Sequence, residues 1–387
     1  MAESETLPPI LGVPLDDLRR SRTSVKWGVF DPDVIPMWIA EMDSTPCQAV
    51  VDAVSAAVGR GDTGYALTEA YAAEVASFAD AEWGWAFDPQ STTRVADVLT
   101  GVTHLLRLFT DEGGPVVVSP PVYNAFYDVI AACGRRVVEA PLGPDHRLDL
   151  DRLAAVFAEV TAGGHRAAYL LSNPHNPTGT VHSPGELTEL ARVADTHGVR
   201  VVSDEIHGPL VLPPSTFTPY LSLPGTERGV TVTSASKAWN LAGLKAAIVV
   251  PGAEAVADLR DLHPFVTFGA SHLGVIAQTA AFRDGREWVH RLACELDGNR
   301  RLLGRLVAEQ LPGVRLVAPE STYLAWLDLR PLELGDDPAA ELVRRARVAL
   351  SSGPTFGSGG AGHARLNFGT SPEILREAIG RIAACLG

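Results

Sequence analysis

The chain has no apolar run approaching the roughly 20 residues needed to span a bilayer, which excludes a helical membrane protein. Its opening, M-A-E-S-E-T-L-P-P, lacks the basic-then-apolar pattern of an export signal, so a cytoplasmic location is expected. Cysteine is scarce. Cys47, Cys133, Cys294 and Cys385 are scattered with no C-x-x-C pair, so neither a zinc site nor a disulfide framework is expected. No H-E-x-x-H occurs among the eleven histidines, and no metal site is expected. Cations are outnumbered: a net charge of -14 argues against a nucleic-acid or anionic-membrane partner. Internal repeats and low-complexity tracts are absent.

What is present is enough material for a large core and more than one domain: 387 residues, 46% of them hydrophobic. From about residue 99 onward, short apolar strands alternate with helices. Strands are predicted at 115–119, 136–140, 167–172, 199–203, 229–233 and 246–250, with helices between most of them. Such βαβ units build an α/β fold on a mostly parallel sheet covered on both faces. Ligands of these sheets bind beyond the carboxyl ends of the strands. Ser119–Tyr123, Ser172–Asn176, Asp204 and Ser234–Lys237 all fall at such ends. A helix opening near Leu99 has a small-residue first turn at Gly101 and Val102, a candidate anion site. A long helix from about 287 to 311, with apolar Trp288, Leu292, Leu296, Leu303 and Leu306 on one face, leads into a smaller C-terminal domain.

The most informative stretch is T-S-A-S-K-A-W-N-L-A-G-L-K, from Thr233 to Lys245. A lysine just past a buried strand, with hydroxyls before it, suits an amine that is held, desolvated and reactive, as a Schiff-base lysine must be. The hydroxyls and Lys245 could then hold the phosphate of a cofactor such as pyridoxal phosphate (PLP). Taken alone, the S-x-S-K pattern reads equally well as a surface lysine after a strand. The cluster around Trp38 reads as core, and Trp239 as packing.

Read together, N-P-H-N-P-T-G, S-D-E-I-H and S-x-S-K resemble, in order and interval, the fold-type I PLP enzymes of the aspartate aminotransferase superfamily. Within it, K-W near the start, P-M-W-I-A-E-M-D, S-K-A-W-N-L-A-G-L, T-Y-L-A-W-L-D and R-L-N-F-G resemble the MalY/PatB branch of cystathionine β-lyases, or C–S lyases. The resemblance implies an aspartate aminotransferase fold: a large PLP-binding domain over 47–285, a smaller α+β domain over 286–387, and a segment 1–46 joining the latter. It implies Lys237 as the lysine bonded to PLP, Asp204 as partner of the pyridine nitrogen, and Asn176 as donor to the phenolic oxygen. Tyr123 would stack on the ring. Ser234, Lys245 and the backbone of Gly101 and Val102 would form the phosphate cup. Tyr65 would reach the phosphate from a second subunit, implying a homodimer. Arg365, assisted by Asn176, would grip the substrate α-carboxylate.

Three departures from the wider superfamily stand out. Lys245 occupies a position usually held by arginine. His207 stands where aminotransferases place a tyrosine near the phenolic oxygen. Glu41 replaces an aspartate in the W-x-A-D-M-D pattern. The implied reaction is α,β-elimination of L-cystathionine or related cysteine S-conjugates to a thiol, pyruvate and ammonia. An aminotransferase on the same scaffold is the alternative, and a non-catalytic PLP-binding regulator is a third reading, without an appended DNA-binding segment to support it.

Overall fold

The computed structural model describes residues 7–386; Met1–Thr6 of the opening segment read above, and Gly387, lie outside the described residues. Thirteen strands follow one another among the described residues. They are β1 (Ile35–Pro36), β2 (Thr93–Val95), β3 (Pro115–Val118), β4 (Arg136–Glu139), β5 (Ala168–Ser172), β6 (Arg200–Asp204) and β7 (Val230–Thr233). Then come β8 (Ala247–Pro251), β9 (Arg315–Leu316), β10 (Leu324–Asp328), β11 (Val348–Ala349), β12 (Ser351–Ser352) and β13 (His363–Asn367).

The main sheet has the order β2-β8-β7-β6-β5-β3-β4. From β7 through β4 every pairing is parallel, and β8 runs antiparallel to both its neighbours. Alternation with period two fills both faces. Val116, Val118, Ala168 and Leu170 enter one core with the helices Val98–Phe109 and Ala125–Ala132. Val117, Tyr169 and Leu171 enter the other with Leu150–Thr161 and Pro184–Thr196. The order reverses between β3 and β5, so the chain leaves these strands in opposite directions and opens a crevice at their carboxyl ends.

The helix Pro184–Thr196 begins with a capping box between Ser183 and Glu186. The 25-residue helix Arg286–Gln310 leads to a second, antiparallel sheet of order β12-β13-β10-β9. On that helix Val289, Leu292, Leu296, Leu303 and Leu306 are buried; Trp288 is only partly so, one position off the predicted face. Residues near the start return to the C-terminal part, where β1 pairs in parallel with β11.

Several elements have no counterpart in the sequence reading, among them a strand and two helices next to the main sheet and in the C-terminal part. Strand β2 is three residues long, too short to show alternation. The helix His272–Asp284 buries Ala277, Gln278, Ala280, Ala281 and Phe282, so no apolar stripe marks it. The helix Pro338–Ala346 is short. Among the described residues, no helix is long and apolar enough to cross a membrane.

Candidate active site

The carboxyl ends of β3, β5, β6 and β7 converge on a cavity of about 170 Å³. Tyr123, Asn176, Asp204, His207, Lys237 and Lys245 all line it, so the polar clusters predicted at one sheet edge do meet.

Lys237 lies in the turn after β7. Its Nζ donates to the Ala40 carbonyl at 3.0 Å. Burial, and then the nearby Arg365 guanidinium, lower its pKa to about 8, against the opposing pull of Asp204 and Glu41. At neutral pH roughly a tenth of such an amine is unprotonated, far more than of an ordinary lysine. Asp204 ends β6, buried, with one oxygen accepting the Ile206 N–H at 3.1 Å. Burial pushes its carboxyl up to about 6. His207 is buried beside Tyr323, and burial holds its imidazole neutral. Its Nδ1 has no hydrogen-bond partner among the described residues.

Arg365 comes from β13 and is 4% exposed. Its Nη1 donates to Asn176 Oδ1 at 3.0 Å. Its Nη2 donates to the Trp38 carbonyl at 3.1 Å and to Ser351 Oγ at 3.2 Å. The guanidinium lies over the Phe356 ring, 4.9 Å from its centroid. Among the described residues every partner is neutral, and Nε is left without one. Burial lowers the pKa to about 10, which still leaves the group charged at neutral pH. A buried cation with no counter-ion is arranged to receive an anion.

Part of the cavity wall is built on the helix Val98–Phe109. Asp97 caps it by accepting the Thr100 N–H at 2.8 Å and pairs with Lys245. Val98 and Leu99, the first two helical residues, line the cavity. Gly101 and Val102 do not. They lie in the body of the helix, and the Gly101 N–H is already bound to the Asp97 carbonyl at 3.0 Å. Gly101 serves packing instead: a Cβ there would come within 3.0 Å of Val95 and 3.3 Å of Val232. The helix starts earlier than the sequence reading placed it because Asp97 is its cap, so the candidate anion-binding amides move back to Val98 and Leu99.

Ser234 is also displaced from its expected place. It is fully buried, its Oγ within hydrogen-bonding reach of the Ala246 carbonyl at 2.7 Å and accepting the Ser236 N–H at 3.1 Å. Ser236 is the hydroxyl that lines the cavity. Tyr65 is 93% exposed and lies outside the cavity of its own chain. Trp239 is buried among Phe78 and Phe282, as packing requires.

The residue type gives one further signal. The chain has three lysines, and all bear on this region. Lys237 and Lys245 line the cavity, while Lys26 forms a buried ion pair with Asp43 at 2.8 Å behind it. Trp38 packs edge-on against Phe30, but its carbonyl supports Arg365. That backbone role, like that of the Ala40 carbonyl, has no side-chain signature.

Residues 32–382 match the family model described as aminotransferase class I and II. A Mycobacterium tuberculosis protein provisionally named cystathionine beta-lyase is 49% identical, with 98% of each chain covered. The Bacillus subtilis cystathionine beta-lyase PatB is 32% identical over 95% of this chain and 98% of its own. Among solved structures, the PLP-bound C-S lyase of Staphylococcus hominis superposes with a TM-score of 0.88 at 25% identity, covering 95% of this chain and 97% of the other. The sheet order, the cavity at its carboxyl edge and a family match across most of the length agree: the chain belongs to the class I and II aminotransferase family.

Proposed function

We propose that this chain is a PLP-dependent C–S β-lyase. It would cleave L-cystathionine or related cysteine S-conjugates into a thiol (homocysteine from cystathionine), pyruvate and ammonia. One observation carries the reading: a lysine of lowered basicity and a buried carboxylate share one cavity with Asn176, which accepts a hydrogen bond from a buried guanidinium, Arg365, whose hydrogen-bond partners among the described residues are all neutral.

The donor set fits PLP. The unpartnered Nε of Arg365 and Nδ1 of His207 are buried polar atoms that a bound amino-acid adduct would satisfy. Lys237 offers the amine for the aldehyde, Asp204 a carboxylate for the pyridine nitrogen, Asn176 an amide for the phenolic oxygen and Tyr123 a ring face. Lys245, Ser236 and the first amides of the helix Val98–Phe109 suit the phosphate. When bound, PLP supplies a ring that takes up the electron pair left at Cα.

The chain's own groups do the rest. Arg365 holds the α-carboxylate, and Asn176, bonded to it, fixes its plane. Asp204, as a carboxylate, keeps a proton on the pyridine nitrogen. Lys237 removes the proton from Cα and can deliver one to the departing sulfur. His207 acts as a neutral hydrogen-bonding wall rather than a charged group. The relatives' names and the histidine at this position favour elimination. An aminotransferase would use the same residues to the same point and differ in needing a keto-acid acceptor.

A homodimer completes the reading. Tyr65, Leu67, Phe265 and Phe268 are all exposed, and Arg94 ties their segments together by bonding both Thr68 Oγ1 at 3.1 Å and the Thr267 carbonyl at 2.7 Å. Such an apolar patch suits a second copy, whose Tyr65 would close the phosphate end. The division into 1–46, 47–285 and 286–387 and a cytosolic location belong to the same proposal. The test is incubation of the PLP-loaded protein with L-cystathionine and no keto acid. Pyruvate release supports elimination, whereas turnover only after a keto acid is added would reassign the chain to transamination.

A further inference from the structure

The residues Met37–Asp43 form a strap, bent at Ile39–Ala40, whose carbonyls are used in alternation. Those of Trp38, Ala40 and Met42 meet Arg365, Lys237 and Asn240. Those of Ile39 and Glu41 both accept from Asn367 Nδ2, each at 2.7 Å. The strap thus reaches both Lys237 and Arg365 and holds each by a backbone oxygen.

Asn240 lies three residues beyond Lys237, at the end of the same turn, with a left-handed φ of 58°. Its Oδ1 accepts the Met42 N–H at 2.9 Å, and its Nδ2 donates to the Met42 carbonyl at 2.9 Å. One side chain therefore pairs with both backbone groups of a single strap residue, as a neighbouring strand would. Two residues back, the Ala40 carbonyl accepts Lys237 Nζ at 3.0 Å and Tyr323 OH at 2.9 Å.

We propose that Asn240 is a positioning residue. Its two bonds to Met42 clamp the strap to the turn that carries Lys237, and so keep the Ala40 carbonyl in place to receive the released lysine amine. This rests on the reading of Lys237 as the group that moves the Cα proton. A carbonyl accepting from the protonated amine favours that form. The other groups facing Lys237 are Arg365 from β13, Asp204 from β6, His207 beyond it and Glu41 of the strap. Loosening the strap removes the carbonyl and leaves Arg365, so the amine loses its proton more readily.

The test compares PLP-loaded wild type with Asn240→Gly, which tolerates the left-handed φ, and with Asn240→Asp, which keeps the size but sets a carboxylate oxygen against the Met42 carbonyl. Hydrogen exchange reads the strap without reference to turnover. Amides of residues 37–43 should exchange about tenfold faster in Asn240→Gly, with the helix Pro184–Thr196 unchanged. With L-cystathionine, kcat should fall about tenfold with little change in KM, and the acid limb of its pH profile should move to lower pH. If Asn240→Gly does not fold, Asn240→Asp should show the same faster exchange and the same fall in kcat. Unchanged exchange at 37–43 overturns the clamp. Faster exchange with an unmoved acid limb overturns the positioning of Lys237. Wild-type protein that exchanges as described yet releases no pyruvate refutes the lyase reading and leaves the clamp standing.

Discussion

Arg365 and Asn176 are joined by a hydrogen bond of 3.0 Å from Nη1 to Oδ1, although 189 positions separate them in the chain. The bond ties the expected carboxylate-binding cation to the loop after β5. Because Asn176 is neutral, the guanidinium keeps its charge available for substrate. Truncating such a buried charged partner costs about 2–5 kcal/mol, so Arg365→Ala should lower kcat/KM for amino-acid substrates by roughly 10²- to 10³-fold. Arg365→Lys should also fall well short, since one ammonium cannot grip both carboxylate oxygens. Steady-state kinetics check this; a variant within a few-fold of wild type would show that the carboxylate binds elsewhere.

Asp204 gives a pH dependence. Its folded-state pKa is about 6, raised by burial, so the protonated form dominates below that value. Pairing with a protonated pyridine nitrogen requires the ionised form. Affinity for PLP should therefore fall as pH drops below about 6, approaching about tenfold per pH unit, and Asp204→Asn should bind weakly without that limb. Absorbance titrations between pH 5 and 8 measure it. An affinity in wild type that is flat across the range would contradict the pairing.

The ion pair of Lys26 and Asp43 is almost wholly buried, at 1% and 2% exposure, and Trp27 Nε1 also donates to Asp43 at 3.2 Å. Removing one partner strands a charge. Lys26→Met should destabilise the protein by about 3–5 kcal/mol, while Lys26→Met with Asp43→Leu should recover most of the loss. Urea unfolding of both variants tests this. Equal destabilisation by the single and double changes would mean that packing, not charge, sets the cost.

Much of this site was legible because its chemistry sits in side chains at strand ends. Lys237, Asp204, Asn176 and Tyr123 could each be placed by a short apolar strand followed by a polar cluster. The differences are of another kind. Val98 and Leu99 line the cavity, and Gly101 and Val102 lie deeper in the helix, because Asp97 caps it and sets its start. Ser234 and Ser236 differ only in which way a turn points them. The strap could not be read at all: its contacts to Lys237 and Arg365 are made by carbonyls that every residue possesses, and Asn240 meets Met42 over 198 positions.

Tyr65 predicts a result in mixed subunits. If it completes the neighbouring site, Tyr65→Ala and Lys237→Ala proteins should each be weak alone. Mixing them by unfolding and refolding together should restore activity toward about a quarter of the wild-type sites, since half of random dimers carry one native site. Activity assays after mixing decide it. No recovery, with dimers shown by sedimentation, would place Tyr65 outside the partner's site.

The central claim is that Lys237 moves the Cα proton in an elimination that needs no amino acceptor. The most direct measurement is simultaneous assay of pyruvate and free thiol from L-cystathionine, without keto acid, for PLP-loaded wild type and Lys237→Ala. The account predicts equal molar amounts of pyruvate and thiol from wild type. It predicts a loss of at least about 10³-fold in the variant, even if that variant still binds PLP. Comparable rates from the two proteins, or no pyruvate from wild type until a keto acid is supplied, would contradict it.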